Sequence, residues 1–182
     1  MKTLMPLIAL TLLLHTVLAS ADPGGRMILN GQTEDCSLFT ALNGSEAVPE
    51  DCKESTTRSS FTNQALAMPV VLQRVTFDFD SAHLTSDAQV DLSRVAKVMR
   101  DPVSKGQVYR VETHTEAQTN RIYAMALSKR RAEAVRNGLI ALGVPPSQIV
   151  AEGKGSDNPV DPAHPDNPVN RRVEIINLSH AD

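Results

Sequence analysis

Two side chains in this sequence have the types and surroundings for ligand recognition, Arg131 and Glu116. At 100° per residue, Leu127, Arg131, Ala134, Val135, Gly138 and Leu142 share one face of a predicted long helix, so a guanidinium sits inside an apolar stripe. Burying an unpaired charge costs several kcal/mol, and an anion must therefore lie close by. Ser128, three residues earlier, can cap the helix if it restarts or kinks there, adding free backbone N–H groups and the positive end of a dipole. Glu116 lies in the turn that leads into this helix. A Glu beside an Arg can hold both ends of an amino-acid group, the acid taking the ammonium and the planar fork taking the carboxylate. Alternatively, the two side chains satisfy only each other.

The elements that must position this pair begin at Pro69. Val75, Phe77 and Phe79 alternate with Thr76, Asp78 and Asp80, the period of a strand with one face in a core. A helix is predicted from Thr85 or Ser86, with Ser86 and Gln89 at capping-box spacing and Ala88, Leu92, Val95, Ala96 and Met99 on one face; Asp101-Pro102 stops it. Val108 to His114 reads as a second strand, and the long helix runs to Leu142, closed by Gly143 with Pro145 and Pro146 behind it. Gln148 to Glu152 is a short strand, Gly153-Lys154-Gly155 a turn into a loop, and Arg172 to Ile176 the last strand. The order strand, helix, strand, helix, strand, strand predicts an α+β layer with two helices on one face of a mixed sheet.

Composition narrows what such a layer can do. The chain has 182 residues with 18 Lys+Arg against 21 Asp+Glu, no Trp, 2 Tyr and 4 Phe. Aromatic stacking platforms and polybasic nucleic-acid grips are both excluded. The acidity is uneven: residues 22 to 68 hold 3 basic and 7 acidic side chains, against 14 and 13 in residues 69 to 178. The histidines are scattered, no His-x3-His, His-Glu-x-x-His or Cys-x-x-Cys spacing occurs, and neither a metal nor a cofactor is expected. No Gly-x-Ser-x-Gly elbow is present, and catalysis is not expected.

Lys2, the apolar run Leu4 to Leu18 and Ala19-Ser20-Ala21 read as a cleavable secretory signal over residues 1–21. Asp22 follows the expected cut, so no lipid-bearing Cys is available there and no direct membrane anchor is expected. In an exported chain, Cys36 and Cys52 are expected to form a disulfide, worth about 3 kcal/mol through restriction of the unfolded chain. Residues 22–68 therefore read as a disulfide-clipped appendage and linker, with a short helix Glu34 to Leu42 and a Ser/Thr-rich stretch Ser55 to Thr62.

Five separated blocks carry a family resemblance: Val75 to Ala82; His114-Thr115-Glu116; Tyr123 with Leu127-Ser128-Lys129-Arg130-Arg131-Ala132; Gly143-Val144 with Gly153-Lys154-Gly155; and Asn170-Arg171-Arg172-Val173-Glu174. In order and spacing, residues 69–178 resemble the OmpA-like C-terminal domain, a βαβαββ fold. The resemblance implies a periplasmic module of a Gram-negative envelope that binds peptidoglycan noncovalently through the diaminopimelate residue of the stem peptide. It implies that Glu116 and Arg131 hold the two ends of that amino-acid group, with Phe79, Asp80, Thr115 and Leu127 lining the pocket. Thr113, Glu116 and Ala124 stand where the family has Gly, Asp and Asn. A second reading keeps the fold as a structural or protein-interaction module with a degraded site. In either case the acidic segment 22–68 is the expected face for an outer-membrane or envelope partner.

Overall fold

The computed structural model describes residues 25–30, 32–56, 67–78, 80–117 and 120–180. The predicted leader, residues 57–62 of the Ser/Thr-rich stretch with residues 63–66 after it, and Phe79 lie outside the described residues. Five strands form one mixed sheet: β1 (Met27–Leu29), β2 (Val70–Leu72), β3 (Tyr109–His114), β4 (Ile149–Gly155) and β5 (Arg172–Asn177), in the order β1-β2-β5-β3-β4. β1 runs parallel to β2 and β3 parallel to β4, while β5 is antiparallel to both of its neighbours. The helices are α1 (Asp35–Asn43), α2 (Glu50–Thr56), α3 (Ser86–Arg100) and α4 (Arg121–Ala141). α4 lies on β3 and β4, α3 packs beside α4, and α1 packs on α3, β2 and β5. The expected α+β layer is present, and its helix-facing strand positions Tyr109, Val111 and Ile175 are fully buried.

The N-terminal segment is more integrated than an appendage. β1 adds an edge strand to the sheet, and Leu29, Leu38 and Leu42 belong to the same buried cluster as Val111 and Ile175. Asn43 joins α1 to the rest: its amide donates to Ser104 Oγ at 2.8 Å, and the Tyr109 hydroxyl donates to its Oδ1 at 2.5 Å. The Cys36–Cys52 disulfide, with Cα atoms 5.2 Å apart, ties α1 to α2. Neither β1 nor α2 carries a readable pattern, because three or seven residues are too few to establish a period.

The first expected strand is displaced. β2 ends at Leu72, a turn follows, and residues 75–78 leave the sheet; Phe77 keeps one isolated bridge to Leu84. Thr85 N–H donates to Thr76 O and Asp78 N–H to His83 O, so the alternating residues form the base of a loop rather than a strand. The cap of α3 is Thr85, whose hydroxyl accepts from Ala88 N–H, and not Ser86. The expected inner face, Ala88, Leu92, Val95, Ala96 and Met99, is buried.

The largest difference concerns α4. It is one uninterrupted helix capped by the Asn120 side chain, so Ser128 neither caps nor kinks it. Its deepest stripe is Ala124, Ser128, Ala132, Val135 and Leu139, which shares Val135 with the predicted stripe and is otherwise one residue, about 100°, round the wheel from it. Small residues there let the helix lie directly on β4. A Cβ on Gly153 would sit 2.3 Å from Lys129 N and 2.6 Å from Ser128 Oγ. Gly153-Lys154-Gly155, expected as a turn, is therefore strand that must carry no side chain at the contact. Ser128 Oγ accepts from Gly155 N–H at 2.9 Å, and the Thr113 hydroxyl donates to Ser128 O at 2.5 Å, riveting α4 to both parallel strands. Gly153→Ala should destabilise the protein by about 2 to 3 kcal/mol in chemical denaturation, because backbone and not a flexible side-chain end must give way. A change below about 0.5 kcal/mol, the usual range for a surface substitution, would show that the contact is not rigid.

Candidate functional site

β3 runs out of the sheet beside the start of β5, and the segment Thr115–Ala117 turns away toward α4. A cleft of about 550 Å³ opens there. Asp80, Thr115, Glu116, Leu127 and Arg131 all line it; Phe79 lies outside the described residues. Four surfaces meet around the cleft: the segment after β2 up to Leu84, the exit of β3, the first half of α4, and the residues 168–173 that lead into β5.

Arg131 is half-buried and held on two sides. Its Cζ lies 4.8 Å from the centroid of the Phe77 ring, and its Nε donates to Ser81 O at 2.9 Å. Among the described residues, its terminal nitrogens make no hydrogen bond, so the fork that recognises a carboxylate is open. Burial lowers the pKa of this guanidinium; Glu116 and Asp80 oppose that shift, while Arg171 and Arg130 add to it. The group stays a cation, but one that gains from an added anion. The sequence placed Arg131 in an apolar stripe, and its apolar surroundings prove to be chiefly the ring of Phe77.

The loop from Asp78 to His83 is built to present Ser81 O to Arg131. Asp80 adopts φ 52°, a left-handed conformation, and the Tyr123 hydroxyl donates to its carboxylate. Ser81 N–H donates to Asp78 O at 3.1 Å, His83 N–H donates to Ser81 Oγ at 2.9 Å, and the His83 ring meets Asp78 Oδ2 at 2.9 Å. Tyr123 and Phe77 are thus functional neighbours that sequence reasoning did not assign to the site.

Glu116 and Arg131 do not satisfy only each other. Glu116 Oε1 lies 3.5 Å from Arg171 Nη1, and Arg171 also lines the cleft. Thr115 is buried with its hydroxyl unpaired, and its backbone N–H donates to Gly155 O at 2.8 Å. Two of the three departures from the family pattern point away from the cleft. Thr113 is spent on Ser128 O, and Ala124 is fully buried without lining the cleft. Glu116 is the departure whose side chain lines the wall.

Beside the cleft, on the sheet face opposite the helices, Glu112, His114 and Glu174 are buried with their ligand-type atoms within 4.8 Å of one another. Such a trio suggests a metal, and it shows no motif because Glu174 comes from a distant strand to join Glu112 and His114. The charges are already answered, however: Arg110 and Lys154 stand 2.7 and 3.3 Å from Glu112, and Arg172 and Arg26 stand 2.5 and 3.2 Å from Glu174. Four cations around two carboxylates leave no excess of negative charge for a divalent ion, so the cluster is an ion network behind the cleft.

Sheet, helices and cleft define an OmpA-like domain. A model of the OmpA family matches residues 76–172. The chain is 37% identical over 101 residues to a peptidoglycan-associated lipoprotein of Pseudomonas aeruginosa, covering 54% of this chain and 58% of that protein. It is 31% identical over 165 residues to outer membrane protein A of Bordetella avium, covering 85% of this chain and 80% of that protein. Among solved structures, it resembles the C-terminal domain of Helicobacter pylori MotB (TM-score 0.50, 30% identity, 61% of this chain and 86% of that one). The OmpA-like domain of FopA1 from Francisella tularensis shares the fold (TM-score 0.50, 23% identity, 63% and 84%). The chain belongs to the OmpA family.

The ion network predicts an acid limb of stability. Burial works against the charged form of Glu112, but His114, Arg110 and Lys154 outweigh it and hold its pKa at about 2, from an ordinary 4.5. A depressed carboxylate pKa contributes stability that is complete above the unfolded value and is lost as pH falls toward the folded one. The stability of the parent against urea should therefore fall as pH is lowered from 4.5 to about 2, and Glu112→Gln should flatten that dependence while lowering stability at neutral pH. Equal pH slopes for the two proteins would refute this role.

Proposed function

We propose that this protein binds peptidoglycan noncovalently as a non-catalytic module of the periplasmic face of a Gram-negative envelope. The ligand is the amino-acid end of diaminopimelate in the stem peptide. One observation carries this reading: Arg131 is anchored through Nε and its ring contact, while its terminal nitrogens stay open in a cleft that also holds the carboxylate of Glu116. A carboxylate beside an ammonium matches that pair in charge, and a bidentate carboxylate matches the fork in shape. Asp80, Thr115 and Leu127 complete the wall, and the Phe79 position is proposed to join it. The names of the relatives, a peptidoglycan-associated lipoprotein among them, agree with this ligand class. Among the described residues, no helix is long and apolar enough to cross a membrane.

The degraded-site reading loses the support of Thr113, whose hydroxyl is spent on Ser128 O in the packing of α4, and keeps that of Ala124, which offers no hydrogen-bonding side chain. Among the described residues, the hydroxyl–carboxylate pair on the cleft wall, Tyr123 with Asp80, holds the loop that presents Ser81 O to Arg131, which fits a wall used for recognition. Arg131→Ala should reduce co-sedimentation with diaminopimelate-containing sacculi by at least about tenfold, the usual effect of losing a charged hydrogen-bonding partner, with the thermal transition retained. Sacculi carrying lysine at that stem position lack the second carboxylate, and the parent protein should bind them as weakly as the variant binds its own target. Undiminished sedimentation of Arg131→Ala would contradict the assignment.

A further inference from the structure

Glu116 is one methylene longer than the acid usual at its position, so its carboxylate has an extra rotatable bond and more positions to occupy. Two loops meet around it. Ala117 N–H, next to Glu116, donates to Pro165 O at 2.8 Å, which stitches the β3 exit to the loop before β5. That second loop is organised by Asn170, which is fully buried: its amide nitrogen donates to Asp161 O, His164 O and Pro165 O, and its Oδ1 accepts from Asp161 N–H at 2.9 Å. Pro165 O is therefore shared between the two loops. The Pro168–Asn170 turn, capped by the Asn167 side chain accepting from Val169 N–H, delivers Arg171 next in the chain. Its Nη1 reaches Glu116 Oε1 at 3.5 Å, and its charge is felt by Arg131.

We propose that Arg171 is a positioning residue that fixes the longer carboxylate of Glu116 for the ligand's ammonium, an inference that rests on the binding reading above. The frame is rigid where it matters: Asn170 fixes the backbone that carries Arg171, and the shared Pro165 carbonyl fixes that backbone relative to Glu116. A 3.5 Å pair is near the limit of direct contact, so a carboxylate pulled back by one methylene would lose it. Arg171 thus explains how this chain uses Glu where Asp is usual. The Arg171 side chain is about half exposed, so as a mere ion pair it would contribute little to stability. Its effect should appear in binding.

The test is a double-mutant cycle read by calorimetric titration of the purified protein with meso-diaminopimelate. Arg171→Ala should weaken affinity about tenfold without lowering the thermal transition, and Glu116→Asp alone should cost about as much. Once Arg171 is gone, Glu116→Asp should change affinity by less than about twofold, because the Arg171 contact that separates the longer carboxylate from the shorter one is then absent. Arg171→Lys should recover part of the loss, since a point charge can still reach the carboxylate without the fork. Equal effects of Glu116→Asp in the two backgrounds would overturn the proposal. Arg131→Ala is the control for the binding reading, since retained affinity in that variant overturns the site assignment and leaves the cycle to judge Arg171 by itself. If the parent binds no diaminopimelate, the binding reading fails and crystal structures of the parent and Arg171→Ala decide the positioning. A displaced Glu116 carboxylate in the variant upholds it, and an unmoved one ends it.

Discussion

A guanidinium withdrawn from water must be answered by something, and the cleft of this protein is arranged around that requirement at Arg131. Part of the answer is internal. The Phe77 face offers its quadrupole and Ser81 O accepts from Nε. Both come from the loop after β2, so the loop and the cation fix each other. The rest is deferred to whatever enters the cleft, because the terminal nitrogens meet no hydrogen-bond partner among the described residues. Glu116 and Asp80 stabilise the charge through space without occupying the fork. A site of this kind is pre-organised: the desolvation cost is met during folding, and the ligand collects the benefit.

That arrangement depends on how closely α4 approaches the sheet. Gly153 carries no Cβ, Ser128 bridges to β4 and Thr113 reaches Ser128 O, so the helix cannot slide along the strands. With its sheet-side stripe committed to β3 and β4, α4 turns Leu127 and Arg131 to the flank where the cleft opens. Behind it, the ion network of Glu112, His114 and Glu174 holds the ends of β3 and β5 together, the same strands whose flanking residues Thr115, Glu116 and Arg171 form the wall. Packing and recognition meet along one border, where His114 and Arg172 line the cleft and belong to the network, and Val75 and Val173 line it from the core.

Much of this was legible in the residues, and the failures have physical causes. Long periodic segments were readable: the inner face of α3, the strand β3 and the disulfide emerge as predicted, although β3 buries Glu112 and His114 as well as Val111 and Thr113 and so does not alternate in burial. The alternation at residues 75–78 misled, because a loop folded against a core can also turn successive side chains in and out: Val75 is buried and Phe77 packs on the core, while Thr76 and Asp78 are exposed. The stripe of α4 was misplaced since Ala and Ser score poorly as apolar, although small size was the property that mattered against Gly153. Arg131 and Glu116 were found from charge in an apolar pattern and from the position of the turn. Arg171 was missed although it lies inside a quoted motif, because its partner stands 55 positions earlier and only the stitched loops bring the two together. β1 was invisible for a related reason: its three residues become a strand only beside β2.

The central claim is that Arg131 presents a fixed, open fork to a carboxylate whose neighbouring ammonium meets Glu116. A crystal structure of the protein soaked with meso-diaminopimelate tests it most directly. The account predicts a carboxylate within hydrogen-bonding distance of both terminal nitrogens of Arg131, the ammonium on Glu116, and the Nε bond to Ser81 O unchanged. A ligand seated elsewhere, or Arg131 swung into solvent to meet it, would contradict the account.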